Sequence, residues 1–196
     1  MSRRRPDSFT KRAKAQNFLA RSVFKLEEID KREKLFHGVE IIVDLGASPG
    51  SWTQYCVRRL PKAKIVAIDL NPIKFAHPNV HFIQGSISDT NIVAALDGKA
   101  ADLVLSDMAP KTTGIHDTDV ARSAELAELA LQTALHVLKP GGNFVAKLFM
   151  GDSFEAYDVS LKEHFQIVKK LRPESTRKHS REIFFIAKNF KGPKVS

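Results

Sequence analysis

The chain has 196 residues, 43% hydrophobic and 27% charged, the size and composition of one soluble globular domain. No apolar run reaches the roughly 18 residues of a membrane-spanning helix, and the basic start lacks the apolar segment of a secretory signal. A single cysteine, Cys56, excludes an internal disulfide, and no Cys/His cluster suggests zinc. No metal and a cytoplasmic location are therefore expected. The net charge is +9. Residues 1–25 hold eight basic residues against one acid, and residues 162–196 hold ten against three. The interval between them is net acidic. Basic ends suit a polyanion such as nucleic acid, though they also serve solubility.

In chain order, residues 1–15 are polar and basic, without periodicity, and read as a flexible arm. Residues 16–36 space Phe18, Leu19, Val23, Leu26, Ile29 and Leu35 helically. A regular alternation follows. Strands are predicted at 41–46, 64–70, 80–85, 101–108 and 143–149. Helices are predicted between them at 51–60, around 89–96 and at about 118–138, the last ended by Lys139-Pro140-Gly141-Gly142. A helix over 153–164 leads to two strands, 166–172 and 182–190, with no helix between them. Continuously apolar strands alternating with helices predict an α/β, Rossmann-like fold. Its sheet is seven-stranded, mostly parallel and covered on both faces, with an antiparallel pair near the C-terminus. The predicted division is an arm at 1–15, one domain at 16–190 and a tail at 191–196.

Ligands of such sheets sit at the carboxyl ends of the strands, by the topological switch. Asp44-Leu45-Gly46-Ala47-Ser48-Pro49-Gly50-Ser51-Trp52 closes the first strand. Gly46 and Gly50 permit a tight turn and close backbone approach, and Asp44 would welcome a cationic ligand group. The segment matches neither G-x-G-x-x-G nor a Walker A loop. Trp52 reads equally as core or as a pocket wall. Asp69, closing the second strand, has the position of an acid that takes ribose hydroxyls, or of a turn cap. Ser86 and Asp89, after the third strand, are adenine contacts or helix caps. Asp107 closes the fourth strand in a Pro-rigid loop, SDMAP. Lys147 lies in an apolar strand, where a lysine is costly unless paired, used or snorkelling. Lys25 and Glu182 are unremarkable singly.

Taken in order, Phe24-Lys25-Leu26, DLGASPGSW, Asp69, SDMAP, Pro140-Gly141-Gly142 with Ala146-Lys147, and Ser180-Arg181-Glu182 resemble the FtsJ (RrmJ/RlmE) family of RNA ribose 2′-O-methyltransferases over residues 9–190. The resemblance implies S-adenosylmethionine (AdoMet) as cofactor and a catalytic set of Lys25, Asp107, Lys147 and Glu182. It implies cofactor contacts from Gly50, Trp52, Asp69 and Asp107. Where the family has an acid after the Gln-Gly of the third strand, this chain has Ser86. The implied substrate is a uridine of large-subunit ribosomal RNA, with transfer RNA or another RNA as the alternative, acted on by a monomer without membrane or obligate protein partner.

The chemistry agrees with that implication. A ribose 2′-hydroxyl needs a base or an adjacent cation, and Lys147 is the residue best suited to bind or deprotonate it. Arg3, Arg4, Arg5, Lys11, Arg12 and Lys14 at the start, with Arg172, Arg177, Lys178 and Arg181 near the end, are candidates for RNA phosphates. A nicotinamide oxidoreductase is disfavoured by the missing third glycine and by Lys147. A non-catalytic RNA-binding module is disfavoured because all four catalytic positions are filled.

Overall fold

The computed structural model describes residues 7–193. Its seven strands form one sheet, β1 (Ile41–Leu45), β2 (Lys64–Asp69), β3 (Val80–Gln84), β4 (Ala101–Ser106), β5 (Leu138–Phe149), β6 (Phe165–Leu171) and β7 (Glu182–Phe190), in the spatial order β3-β2-β1-β4-β5-β7-β6. The pairings from β3 through β5 are parallel. β7 enters between β5 and β6 and runs antiparallel to both. The order reverses between β1 and β4, which opens a crevice above their carboxyl ends.

Alternation along the strands sorts side chains onto two faces. Ile42, Leu103, Val145 and Phe184 pack on one face with α2 (Val23–Glu33) and α3 (Ser51–Arg59). Val43, Val104, Phe144 and Phe185 pack on the other with α4 (Ile92–Ala95), α5 (His116–Val137) and α6 (Ser153–His164). Phe144, Phe184 and Phe185 are wholly buried. Each such side chain contributes about 1.5–3 kcal/mol relative to exposure. Among the described residues, no helix is long and apolar enough to cross a membrane.

The largest departure from expectation lies at the start. Residues 8–15, read as part of a flexible arm, form α1 (Ser8–Ala15). Asp7 caps it, accepting from Thr10 N at 2.9 Å. Phe9 and Ala13, four residues apart, supply an apolar stripe narrow enough to be hidden among the charges. Ala13 is buried, and the Phe9 ring lies 5.8 Å from that of Phe24. Arg3, Arg4 and Arg5 fall outside the described residues.

The helix expected over 16–36 is confined to α2. Asn17 adopts φ 55°, which breaks the path from α1, and Lys34 ends the helix in the left-handed region at φ 54°. The helix expected around 89–96 divides into a 3-10 turn, Ile87–Asp89, and α4, which Asn91 caps through Ala94 N. β5 begins earlier than expected. Leu138 already pairs with Ala101, and a register shift follows before Leu103 meets Asn143, so the Pro-Gly-Gly turn is absorbed as an irregularity inside the strand.

Candidate active site

Four side chains from four distant segments meet at the carboxyl edge of the sheet. Lys147 alternates with Val145 onto the α2 face of β5, and Phe184 of β7 lies directly opposite it. The antiparallel direction of β7 is decisive. It puts the first residue of that strand, Glu182, opposite the last of β5, Phe149. A parallel β7 would carry Glu182 to the far end of the sheet. Asp107 follows the end of β4, and Lys25 comes from the first turn of α2.

These groups form one alternating chain of charge. Lys147 Nζ donates to the Asp107 carbonyl at 2.6 Å and to its carboxylate Oδ1 at 2.8 Å. Lys25 Nζ stands 4.0 Å from the same Oδ1 and 2.6 Å from Glu182 Oε1. The Phe184 ring lies 5.6 Å from the Lys25 ammonium, a cation–π distance. Two lysines and two carboxylates balance, which is how a buried charged cluster is tolerated. Lys147 is the most enclosed, its side chain 5% exposed. Two of its three N–H directions go to Asp107, and a third remains for an incoming oxygen.

Beside this chain lies a cavity of about 680 Å³, its lining including Gly46, Asp69, Ser86, Asp107, Met108 and Leu126. At Gly46 the backbone lies close against Met108. With φ at 75°, a Cβ there would stand 2.6 Å from Met108 Cγ, so only glycine fits. Asp69 ties the loop to β2. Its Oδ2 accepts from Ser48 N at 2.9 Å and its Oδ1 from Asn71 N at 2.7 Å. A carboxylate so held still has lone pairs for ligand hydroxyls.

Asp44 is wholly buried and off the cavity lining. Its Oδ2 accepts from Thr53 Oγ1 at 2.6 Å, while Oδ1 has no hydrogen-bond partner among the described residues. Burial pushes its carboxyl up to about 7; the Thr53 bond opposes this, and the charges of Asp107 and Asp69 add to it.

The remaining sequence candidates separate. Ser86 lines the cavity and caps the 3-10 turn, accepting from Ser88 N at 3.3 Å. Asp89 is exposed and does not line it. Trp52 has its side chain in the core. Its indole N–H donates to Ser22 O at 2.9 Å, and its ring lies 5.8 Å from that of Phe184. Gly50, at φ 109°, caps α3 away from the lining. What Trp52 can offer a ligand is its backbone N–H in the first turn of α3, where helix donors lack intrahelical acceptors. Two of the proposed RNA cations are occupied within the protein. Arg12 pairs with Glu27 at 3.1 Å, and Arg172 donates to Ser180 O at 2.7 Å.

One wall escaped the sequence reading: Arg122, Leu126 and Leu129 of α5, with Ile87. The intervals of four and three along α5 were the available signal, but an Ala- and Leu-rich helix shows that periodicity on more than one side.

Comparison with known proteins supplies an independent line. The sequence profile of the FtsJ-like methyltransferases matches residues 18–190. The chain is 46% identical to ribosomal RNA large subunit methyltransferase E of Bdellovibrio bacteriovorus over 185 residues, covering 92% of this chain and 94% of that protein. It is 44% identical to the protein of the same name from Desulfatibacillum aliphaticivorans, covering 95% and 91%. A crystal structure described as a ribosomal RNA methyltransferase from Plasmodium falciparum superposes with a TM-score of 0.78 at 32% identity, over 90% of this chain and all of that one.

Proposed function

Because the chain belongs to the FtsJ-like methyltransferase family, we propose that it transfers a methyl group from AdoMet to a ribose 2′-hydroxyl of large-subunit ribosomal RNA. The observation that carries this reading is the assembled chain Lys147–Asp107–Lys25–Glu182, which reaches the lining of a nucleoside-sized cavity through Asp107. A non-catalytic module has no use for two lysines and two acids gathered at one strand edge.

The cavity suits AdoMet. The Gly46 turn leaves the backbone bare against Met108, Asp69 stands where ribose hydroxyls would be accepted, and Ile87 and Met108 offer apolar surface for a base. Asp69, Asp107 and Glu125 outnumber Lys111 and Arg122 in the lining, so the field suits a cationic ligand. Ser86 replaces a carboxylate at the adenine end. AdoMet supplies a methyl group on a cationic sulfur that departs neutral, so no acid is required for the leaving group.

The protein's work is then to position and activate the hydroxyl. Lys147 Nζ holds the 2′-oxygen through its remaining donor direction and offsets the charge that develops there, while the methyl–sulfur bond breaks, the methyl–oxygen bond forms and the hydroxyl proton is released to solvent. Asp107 fixes Lys147 through two acceptors. Glu182 and Phe184 hold Lys25 as the second cation beside that oxygen. Lys11, Lys14, Arg177, Lys178 and Arg181, with the basic residues preceding α1, would take neighbouring RNA phosphates. The action belongs in the cytoplasm, where ribosomal subunits mature.

Tritium transfer from labelled AdoMet to ribosomal RNA, followed by mapping of the labelled nucleotide, tests the reading. Label at a 2′-oxygen is expected, and a 2′-deoxy target should accept none. Label on a base, or none on any ribosomal RNA or subunit, would overturn it.

A further inference from the structure

The loop between β6 and β7, residues 172–181, leads directly into Glu182 and carries no strand or helix. At its end Arg181 O accepts from Met150 N at 3.0 Å, which extends the β5–β7 ladder by one bond. Its attachments through side chains converge on one line along α2. Arg21, in the turn that opens α2, donates to Ser175 O. Four residues on, Lys25 meets Glu182 at 2.6 Å. Three further, Glu28 Oε2 accepts from Glu174 N at 2.8 Å. Four further, Arg32 lies 3.9 Å from the Glu174 carboxylate. Intervals of four, three and four place these residues on one helix face. Lys25 thus sits between the two contacts that hold the loop. Ser175 is nearly as buried as core, at 2% exposure.

The upper contact is itself braced by α1. The Arg21 guanidinium also pairs with Asp7 and lies over the Phe9 ring at 5.3 Å. Asp7 is the N-cap of α1, so one carboxylate ties a helix that precedes the matched family region to the residue that grips the loop.

We infer that Arg21 and Glu28 are positioning residues: they clasp the β6–β7 loop onto α2 and thereby set the Lys25–Glu182 contact, with Asp7 and α1 as the brace. This rests on the methyl-transfer reading for its kinetic consequence, but not for the docking itself. A loop of this length without secondary structure would otherwise sample many conformations; the ladder would still hold the Glu182 backbone opposite Phe149, but the direction from which its side chain meets Lys25 would no longer be fixed.

The test uses acidic residues, because an effect of lost phosphate binding would then have the wrong sign. Asp7→Asn keeps the helix cap, since Asn caps as well as Asp, but removes the ion pair with Arg21. Glu28→Ala removes the acceptor of Glu174 N–H. Both changes make the protein more positive and should not weaken RNA binding. In the full-length protein, amide hydrogen exchange over residues 173–182 should quicken in both variants while the central strands keep their protection. kcat should fall about tenfold or more, with AdoMet affinity and the KM for RNA held within about twofold. Glu28→Gln, which retains a carbonyl acceptor, should recover most of the loss. Unchanged exchange in the loop overturns the clasp whatever the activity. Faster exchange with an unaltered kcat, or a kcat that falls only in step with AdoMet affinity and Tm, overturns the positioning role. If the wild-type protein itself labels no RNA, the substrate assignment fails, and the exchange measurement still decides whether the loop is clasped.

Discussion

Lys25 Nζ and Glu182 Oε1 meet at 2.6 Å, one from the helix that precedes the sheet and the other from the first position of the last strand. Truncating Glu182 leaves the Lys25 ammonium enclosed with only the more distant Asp107 carboxylate, at 4.0 Å. Glu182→Gln should retain the fold and AdoMet binding and lower methyl transfer about tenfold to a hundredfold. Isothermal titration beside a single-turnover methylation assay checks both halves. Near wild-type turnover would show that Lys25 needs no anion at that position.

Lys147 carries the sharpest expectation. Met keeps the length and apolar stem but removes the charge and the donors. Lys147→Met should bind AdoMet and lose at least about a hundredfold in methyl transfer, the scale of a lost donor to a developing oxyanion. Lys147→Arg should fail too, because a planar guanidinium cannot reproduce both contacts to Asp107 in the same space. Transfer rates at saturating AdoMet measure it.

Gly46→Ala combines a strained φ of 75° with a Cβ 2.6 Å from Met108 Cγ. The loop must shift away from Met108, narrowing the cavity. AdoMet affinity is expected to fall about tenfold or more, with stability reduced by about 1–3 kcal/mol for the strained conformation. Titration calorimetry with thermal unfolding checks the pair. Asp69→Ala should weaken AdoMet similarly while sparing Tm more, since its bonds are to surface turns.

Asp44 predicts a pH dependence. Its carboxyl is raised by burial from 3.8 to about 7, so the folded state holds a proton that the unfolded chain has released over that interval. Folding takes up a proton there. The contribution of Asp44 to stability is therefore greatest below about pH 4, declines as the pH rises to about 7, and is constant above. The full change is on the order of 4 kcal/mol. In Asp44→Asn this component is absent. The difference in unfolding free energy between variant and wild type, from urea titrations at pH 4 to 8, should grow in the variant's favour with pH. A difference that stays flat across that range would refute it.

The alternation of apolar strands and helices was legible because it is local. Runs such as IIVDL and KIVAID bury both faces and end in residues that stop a strand, so Asp44, Asp69 and Asp107 fall at the carboxyl ends by counting alone. Lys147 stood out because an apolar strand penalises an unused lysine. By itself the sequence thus determined the strand ends, the acids that crown them and the one lysine out of place. The tertiary structure decided that β7 enters between β5 and β6 and runs antiparallel to both, leaving β6, with Gln166, Lys169 and Lys170, at the edge. That choice brings Glu182 to the crevice and puts Phe184 beneath Lys25. It also decided that Trp52 turns its ring into the core, that α1 is a helix at all, and that Arg21 and Glu28 have a loop to hold. Each of these depends on a partner far along the chain, and a contact energy realised only on packing leaves no periodicity in the residues that make it.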